Sequence, residues 1–271
     1  VIVCGLPFVA KEPLKTLRTM WRDFRVFGRG HAKRSDAGLV LVYFSYEPDF
    51  EYLVLSLKSL AANKLINLKA VYLFVDSKAP FGEAQIARLR DLSPLLRVRS
   101  IENFSWASAE STHAEIQAFS EVSRDGFNAN DYMVKVDSDI LFLGGSRKLA
   151  KIQESGLAAV GDERFARNYM QGGLYFISFG ALRQHILPAT LDQIKGIEKR
   201  FNKTGEDLVI TELLREGGVE PCFTRLMLFK HDYLKLSRVT GLTRSHFCGA
   251  HFIKDKERMT ALFGKLVSDV C

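Results

Sequence analysis

From Gly38 onward the chain alternates between two spacings of apolar residues. GLVLVYFSY (38–46) is a near-continuous apolar run, the pattern of a strand buried on both faces. DFEYLVLSLKSLAAN (49–63) then repeats apolar residues at helical spacing, with Asp49 placed to cap it. KAVYLFVDS (69–77) reads as a second strand, Gly82 to Leu92 as a helix, RVRSIE (97–102) as a third strand, and Ala109 to Arg124 as a helix. A fourth strand, DYMVKVDSDILFL, follows from Asp131. This order predicts an α/β fold with a mostly parallel, Rossmann-like central sheet flanked by helices.

The second half is more mixed. Residues 156–162 and 168–178 read as strands, the latter interrupted by Gly172 and Gly173, a pairing that marks close approach of a ligand or another backbone. A helix is expected from Gly180 to Phe201 with a break at Pro188. Another begins at GEDLVITELL, with two acids in its first turn and glycines at its end.

Before Gly38 the pattern is different. Lys11, Lys15, Arg18, Arg22, Arg25 and Arg29 recur at intervals of three and four, and Leu14, Leu17, Met20, Trp21, Phe24 and Phe27 fill the other side of the same helix. With Lys33 and Arg34 the stretch 11–34 holds eight basic residues against Glu12 and Asp23, a net +6 out of the chain's +7. We therefore read residues 1–37 as a basic amphipathic helical extension and 38–271 as one domain. Such a helix either packs its apolar stripe on the domain or lies on an anionic membrane surface. A nucleic-acid surface is disfavoured because no further basic cluster stands out across the fold.

Composition excludes several other classes. With 271 residues, 47% hydrophobic and 25% charged, the chain can build a large core and is not a low-complexity sequence. No apolar run reaches the roughly 18–20 residues that a membrane-spanning helix needs. Cys4, Cys222, Cys248 and Cys271 lack metal-type spacing and read as free thiols of a reducing compartment.

Candidate chemistry gathers where the strands end, the rim on which open α/β sheets bind ligands. Ser45, Tyr46 and Glu47 end the first strand, Asp76 the second, and Asp137, Ser138 and Asp139 the fourth. On a strand, the two aspartates would share a face; on a turn, they could converge on a cation. No glycine-rich phosphate loop follows the first strand, which disfavours dinucleotide and P-loop folds.

Taken in order, VKVDSDILFL, MQGGLYFIS, GEDLVITELL and GAHF resemble the motifs of the metal-dependent GT-A glycosyltransferases, over about Gly38 to Phe252. The glycine pair and the Glu-Asp pair are most similar to the inverting β-1,3-glycosyltransferase and Fringe-like branch, and the late His-Phe is similar to the glycogenin-like branch. The resemblance implies Mn²⁺ or Mg²⁺ on Asp139, with Asp137 on the ribose or the metal's water shell and His251 as a third ligand, His246 being second choice. It implies Asp207 as the base, with Glu206 beside it as substitute or acceptor orienter. Gln171, Gly172 and Gly173 would floor the donor and acceptor site, and Lys254 and Lys256 would hold the diphosphate. Ser45, Tyr46, Glu47 and Asp76, with Ser138 in the Asp-x-Asp turn, would serve the nucleotide.

The substrates so implied are a nucleotide sugar, with a UDP-sugar first, and a glycan or lipid-linked acceptor. The cysteines and flanking signatures of secretory β-1,3 enzymes are absent, as is the glycogenin-like acid pattern ahead of the donor site. We therefore expect a cytoplasmic enzyme, peripheral at the inner face of a membrane, rather than a Golgi one. The alternatives are a retaining GT-A enzyme, a nucleotidyltransferase, for which YFSYEPDF lacks the basic glycine-rich loop, and a nucleotide-sugar-binding module without turnover.

Overall fold

The computed structural model describes residues 37–63, 67–102, 108–144, 146–163, 169–229, 247–251 and 255–268, with positions 21, 23, 24 and 27. Strands β1 (Leu39–Ser45), β2 (Leu68–Asp76), β3 (Leu96–Ile101) and β4 (Tyr132–Asp137) run parallel and alternate with helices α1 (Phe50–Asn63), α2 (Glu83–Leu92) and α3 (Ala109–Ser123). Beyond β4 come β5 (Leu141–Phe142), α4 (Ser146–Ser155), β6 (Ala159–Glu163) and β7 (Met170–Ser178). Next are α5 (Leu191–Phe201), α6 (Glu206–Glu216), β8 (Cys222–Phe223), β9 (Met227–Phe229), β10 (Gly249–His251) and α7 (Lys256–Ser268).

The main sheet has seven strands in the order β3-β2-β1-β4-β7-β6-β8, with β7 antiparallel to both neighbours. Along β1, Leu39, Leu41 and Tyr43 enter one core while Val40, Val42 and Phe44 enter the other. Burial on both faces is why β1 is apolar without alternation. The first core packs under α1, and the second under α3, α5 and α6. Each fully buried Leu or Phe contributes about 1.5–3 kcal/mol.

Several expected elements change on folding. The run from Asp131 is not one strand: β4 stops at Asp137, Ser138 and Asp139 form a turn, and Leu141–Phe142 joins a second sheet of order β5-β10-β9. The helix expected from Gly180 is a helical turn (Phe179–Ala181), then a π turn (Leu182–Ile186), and α5 restarts beyond Pro188 at a Thr190 cap. Asp49 ends a single 3-10 turn, and its Oδ2 accepts the Ser138 hydroxyl at 2.7 Å. Helices α4 and α7 and the short strands β8, β9 and β10 have no counterpart in the pattern reading.

Most of the basic N-terminal stretch lies outside the described residues. The helical positions within it do not sort as the apolar face predicts. Asp23 points inward, paired with Lys148 Nζ at 2.9 Å and accepting the Thr224 hydroxyl at 2.8 Å, and Phe27 packs on the first core. Trp21 and Phe24 face out, 61% and 71% exposed. Among the described residues, Cys222 and Cys248 are free thiols, and no helix is long and apolar enough to cross a membrane.

Candidate active site

Two long-range pairings build the site. Leaving the Asp137-Ser138-Asp139 turn, the chain enters β5, and β10 pairs antiparallel to it through Ala250 with Leu141 and Gly249 with Phe142. Gly249 is needed there, since a Cβ would lie 2.9 Å from Ile140 Cγ2. The pairing brings His251, the last residue of β10, onto the turn. Its Nε2 lies 3.2 Å from Asp137 Oδ2 and 3.4 Å from Asp139 Oδ1.

These three residues offer ligand atoms within 4.8 Å of one another. Adjacent ligands of a cation with bonds near 2.1 Å stand about 3 Å apart, so two carboxylates and an imidazole at these separations fit a divalent cation. Burial disfavours the His251 imidazolium, but its hydrogen bonds to Asp137 and Asp139 carry the pKa up to about 9. A cation entering here competes with that proton.

The second pairing is β4 against β7, with Lys135 opposite Tyr175 and Val136 opposite Leu174. Lys135 is buried, and its ammonium donates to Asp137 Oδ1 at 2.5 Å and to the Gly172 carbonyl at 2.6 Å. It also stands 3.3 Å from Glu206 Oε1. Burial opposes this ammonium, yet Asp137, Glu206 and Glu115 hold its pKa well above the ordinary lysine value. Conversely, burial would raise the Asp137 carboxyl, but Lys135 and His251 hold it well below the usual carboxylate range.

The glycine pair accommodates protein groups. A Cβ on Gly173 would lie 2.5 Å from the His251 ring, and one on Gly172 would lie 2.4 Å from Glu206 Oε1. Gln171 is buried, and its Oε1 accepts the Gly173 amide at 2.8 Å. Helix α6 opens after Gly205, whose φ of 138° suits glycine, and its positive end favours the acids Glu206 and Asp207. Asp207 is buried and its Oδ1 accepts the Leu208 amide at 2.8 Å.

Asp137, Asp139, His251, Gln171, Gly172, Gly173, Glu206 and Asp207 thus come together through the Lys135 contacts, the Asp-Asp-His cluster and the β4–β7 pairing. Ser138 is buried, its hydroxyl engaged with Asp49, so it holds the turn to the start of α1. Ser45 is buried at the end of β1, Tyr46 is half-buried, and Glu47 is exposed. Asp76 ends β2 and its Oδ1 accepts the Lys78 amide at 3.0 Å. Lys256 is exposed on α7, 3.9 Å from Glu51 Oε2, whereas Lys254 and His246 lie outside the described residues.

Three residues of this cluster escape pattern reading: Lys135, Glu115 and Tyr175. Burial, reinforced by Glu206, raises both Glu115 and Tyr175 well above their ordinary values. Among the described residues, Glu115 Oε2 and the Tyr175 hydroxyl are shielded from solvent and have no hydrogen-bond partner. The one available signal was Lys135 itself, a charge inside the otherwise apolar YMVKV.

No protein-family model and no curated protein matches the sequence. Solved structures do match the fold. The galactosyltransferase LgtC, solved with donor and acceptor sugar analogs, aligns with a TM-score of 0.52 over 83% of this chain and 95% of its own, at 13% identity. The glycosyltransferase GlyE of Streptococcus pneumoniae TIGR4 aligns with a TM-score of 0.55 over 86% of this chain and 63% of its own, at 12% identity. The chain therefore has the fold of the GT-A glycosyltransferases: a seven-stranded, mostly parallel sheet flanked by helices.

Proposed function

We propose that this protein is a metal-dependent glycosyltransferase that moves a sugar from a nucleoside-diphosphate sugar, a UDP-sugar in our reading, to a hydroxyl of a glycan or lipid-linked acceptor. The observation that carries the reading is the convergence of Asp137, Asp139 and His251 at the carboxyl end of β4, on a fold shared with LgtC, which was solved with donor and acceptor sugar analogs. The Fringe-like, inverting branch is favoured because the glycine strand and the Glu-Asp pair act together, each glycine making room for a site side chain.

Asp137, Asp139 and His251 would hold Mn²⁺ or Mg²⁺, which as a Lewis acid neutralises charge on the departing diphosphate. Asp207 takes the proton from the acceptor hydroxyl as that oxygen bonds to the anomeric carbon. The bond to the diphosphate oxygen breaks with its electron pair leaving on the nucleoside diphosphate. Glu206, engaged by Lys135, orients the acceptor. Ser45, Tyr46, Glu47 and Asp76 serve the nucleotide from the ends of β1 and β2, and Lys254 and Lys256 serve the diphosphate.

The test is a nucleotide-sugar screen for diphosphate release with and without Mn²⁺. Release from one donor is expected to depend on Mn²⁺ and to fall at least ~100-fold in Asp139→Ala. Wild-type release from that variant overturns the metal assignment, and no release from any nucleotide sugar overturns the reading. Full release from Asp207→Asn removes that residue as the base.

In the same reading the protein works peripherally at the inner, anionic face of a membrane, through residues 11–34. The support is Trp21 and Phe24 facing outward while Asp23, one of only two acids in the stretch, is spent on Lys148. Co-sedimentation with phosphatidylserine vesicles should exceed that with phosphatidylcholine and drop in a Trp21→Ser, Phe24→Ser variant. No binding by the wild type refutes it.

A further inference from the structure

Alongside the site, the face of α6 formed by Leu208, Glu212 and Arg215 combines with Tyr169, Phe201 and Lys203 to line a groove of about 250 Å³. Two connections join it to the candidate active site. Leu208 directly follows Asp207, and Tyr169 sits at the entry to β7, two residues before Gln171. The Met170 amide donates to Thr211 Oγ1 at 3.0 Å, which ties that strand entry to α6.

The lining is unusual for a surface depression. Phe201 remains 44% exposed at the end of α5, with the Arg200 guanidinium 5.1 Å from its ring centre. Lys203 Nζ lies 3.9 Å from the Tyr169 ring centre and donates to its hydroxyl. The two arginines are neutralised: Arg215 by Glu212 and Glu220, each at 2.8 Å, and Arg200 by Glu216 at 3.0 Å and Glu212 at 3.4 Å. Among the described residues Lys203 has no carboxylate partner, so it is the groove's uncompensated cation. The exposed Phe201 ring beside planar ion pairs suits the apolar face and hydroxyls of a sugar ring, and the half-buried Lys203 ammonium on the buried Tyr169 suits an anion.

We infer that this groove is the acceptor subsite and that it takes a saccharide bearing an anionic group. This rests on the glycosyltransferase reading and names the substrate class of its acceptor side. The anion is a phosphate, as on a lipid-linked or phosphorylated sugar, or a carboxylate, as on a uronic acid. The sugar stacks against Phe201 and the anion pairs with Lys203, leaving a hydroxyl directed to Asp207.

Saturation-transfer difference NMR with glucose 1-phosphate, glucuronic acid and glucose tests the assignment, with UDP and Mn²⁺ present to fill the donor side. At least one anionic sugar should give a signal several-fold stronger than glucose, falling at least ~fivefold in Lys203→Gln and Phe201→Ser. Thermal unfolding of both variants verifies that they fold. Signal for glucose 1-phosphate alone identifies a phosphate-bearing acceptor, and signal for glucuronic acid alone a uronic one. Equal signals from all three sugars, no signal, or signals unchanged in both variants overturn the subsite. This readout needs no turnover, so such a result from a wild-type enzyme that still releases diphosphate from a nucleotide sugar overturns the groove and not the proposed function.

Discussion

Replacing Lys135 by methionine keeps an unbranched side chain one atom shorter and removes the cation that lies among the site's acids. The ammonium is 2.5 Å from Asp137 Oδ1 and 3.3 Å from Glu206 Oε1. At an effective dielectric of about 20 those separations correspond to roughly 5–7 kcal/mol of gross attraction each, offset by the cost of burying the charges. Removing one member of a buried ion pair typically costs about 3–5 kcal/mol, because the remaining charge is left uncompensated. Asp137 is 34% exposed on its side chain, so the lower end of that range is expected.

Urea unfolding in EDTA at pH 7 and at pH 3 measures the loss. Asp137 is held below the usual carboxylate range, so its stabilising contribution is present above about pH 4 and is lost as the carboxylate protonates in the native state. The wild-type advantage over Lys135→Met should therefore be largest at pH 7 and shrink toward acid pH. Should the single variant fail to fold, Lys135→Met with Glu206→Gln removes one stranded charge and should recover part of the loss. A difference below about 1 kcal/mol at pH 7, or a larger one that does not change with pH, refutes the electrostatic account.

Gly173→Ala places a methyl 2.5 Å from the His251 ring and should weaken Mn²⁺ binding in calorimetry by tenfold or more, whereas Gly172→Ala meets only the movable end of Glu206 and should cost less. Equal Mn²⁺ affinity in the two variants contradicts the packing argument. Asp162, buried and accepting the Leu226 and Met227 amides, has its pKa raised by burial to about 6. The native state then binds the extra proton between about pH 4 and 6, so this group's stabilising contribution falls as pH rises through that window. Comparison of melting curves with Asp162→Asn should isolate that fall, and identical pH profiles would exclude it. Asp23→Ala strands Lys148 and should destabilise by about 3–5 kcal/mol in denaturant unfolding, with Asp23→Leu plus Lys148→Met recovering most of it. A single variant as stable as the wild type shows that the pair does not anchor the N-terminal helix.

Where local pattern and burial coincide, the sequence was enough. The runs at 38–46, 69–77 and 132–137 are strands because both sheet faces are covered, and a strand buried twice must be apolar throughout. The break at Pro188 and the acids opening α6 also follow from backbone chemistry within a few residues.

What only the tertiary structure decided are the facts that depend on partners distant in sequence. The expected strand ends at Asp137 because the turn is pinned by Ser138 to Asp49 and its continuation is claimed by β10. Two- and three-residue strands such as β5 and β10 carry no periodicity of their own; pairing across more than a hundred residues sets His251 against the aspartates. A lone lysine in an apolar strand has no local reading, and Lys135 acquires one only when β7 and α6 bring Gly172 and Glu206 to it. The helical wheel of residues 11–34 could not tell that Asp23 turns inward and Trp21 outward, because that orientation is set by Lys148, far along the chain in α4.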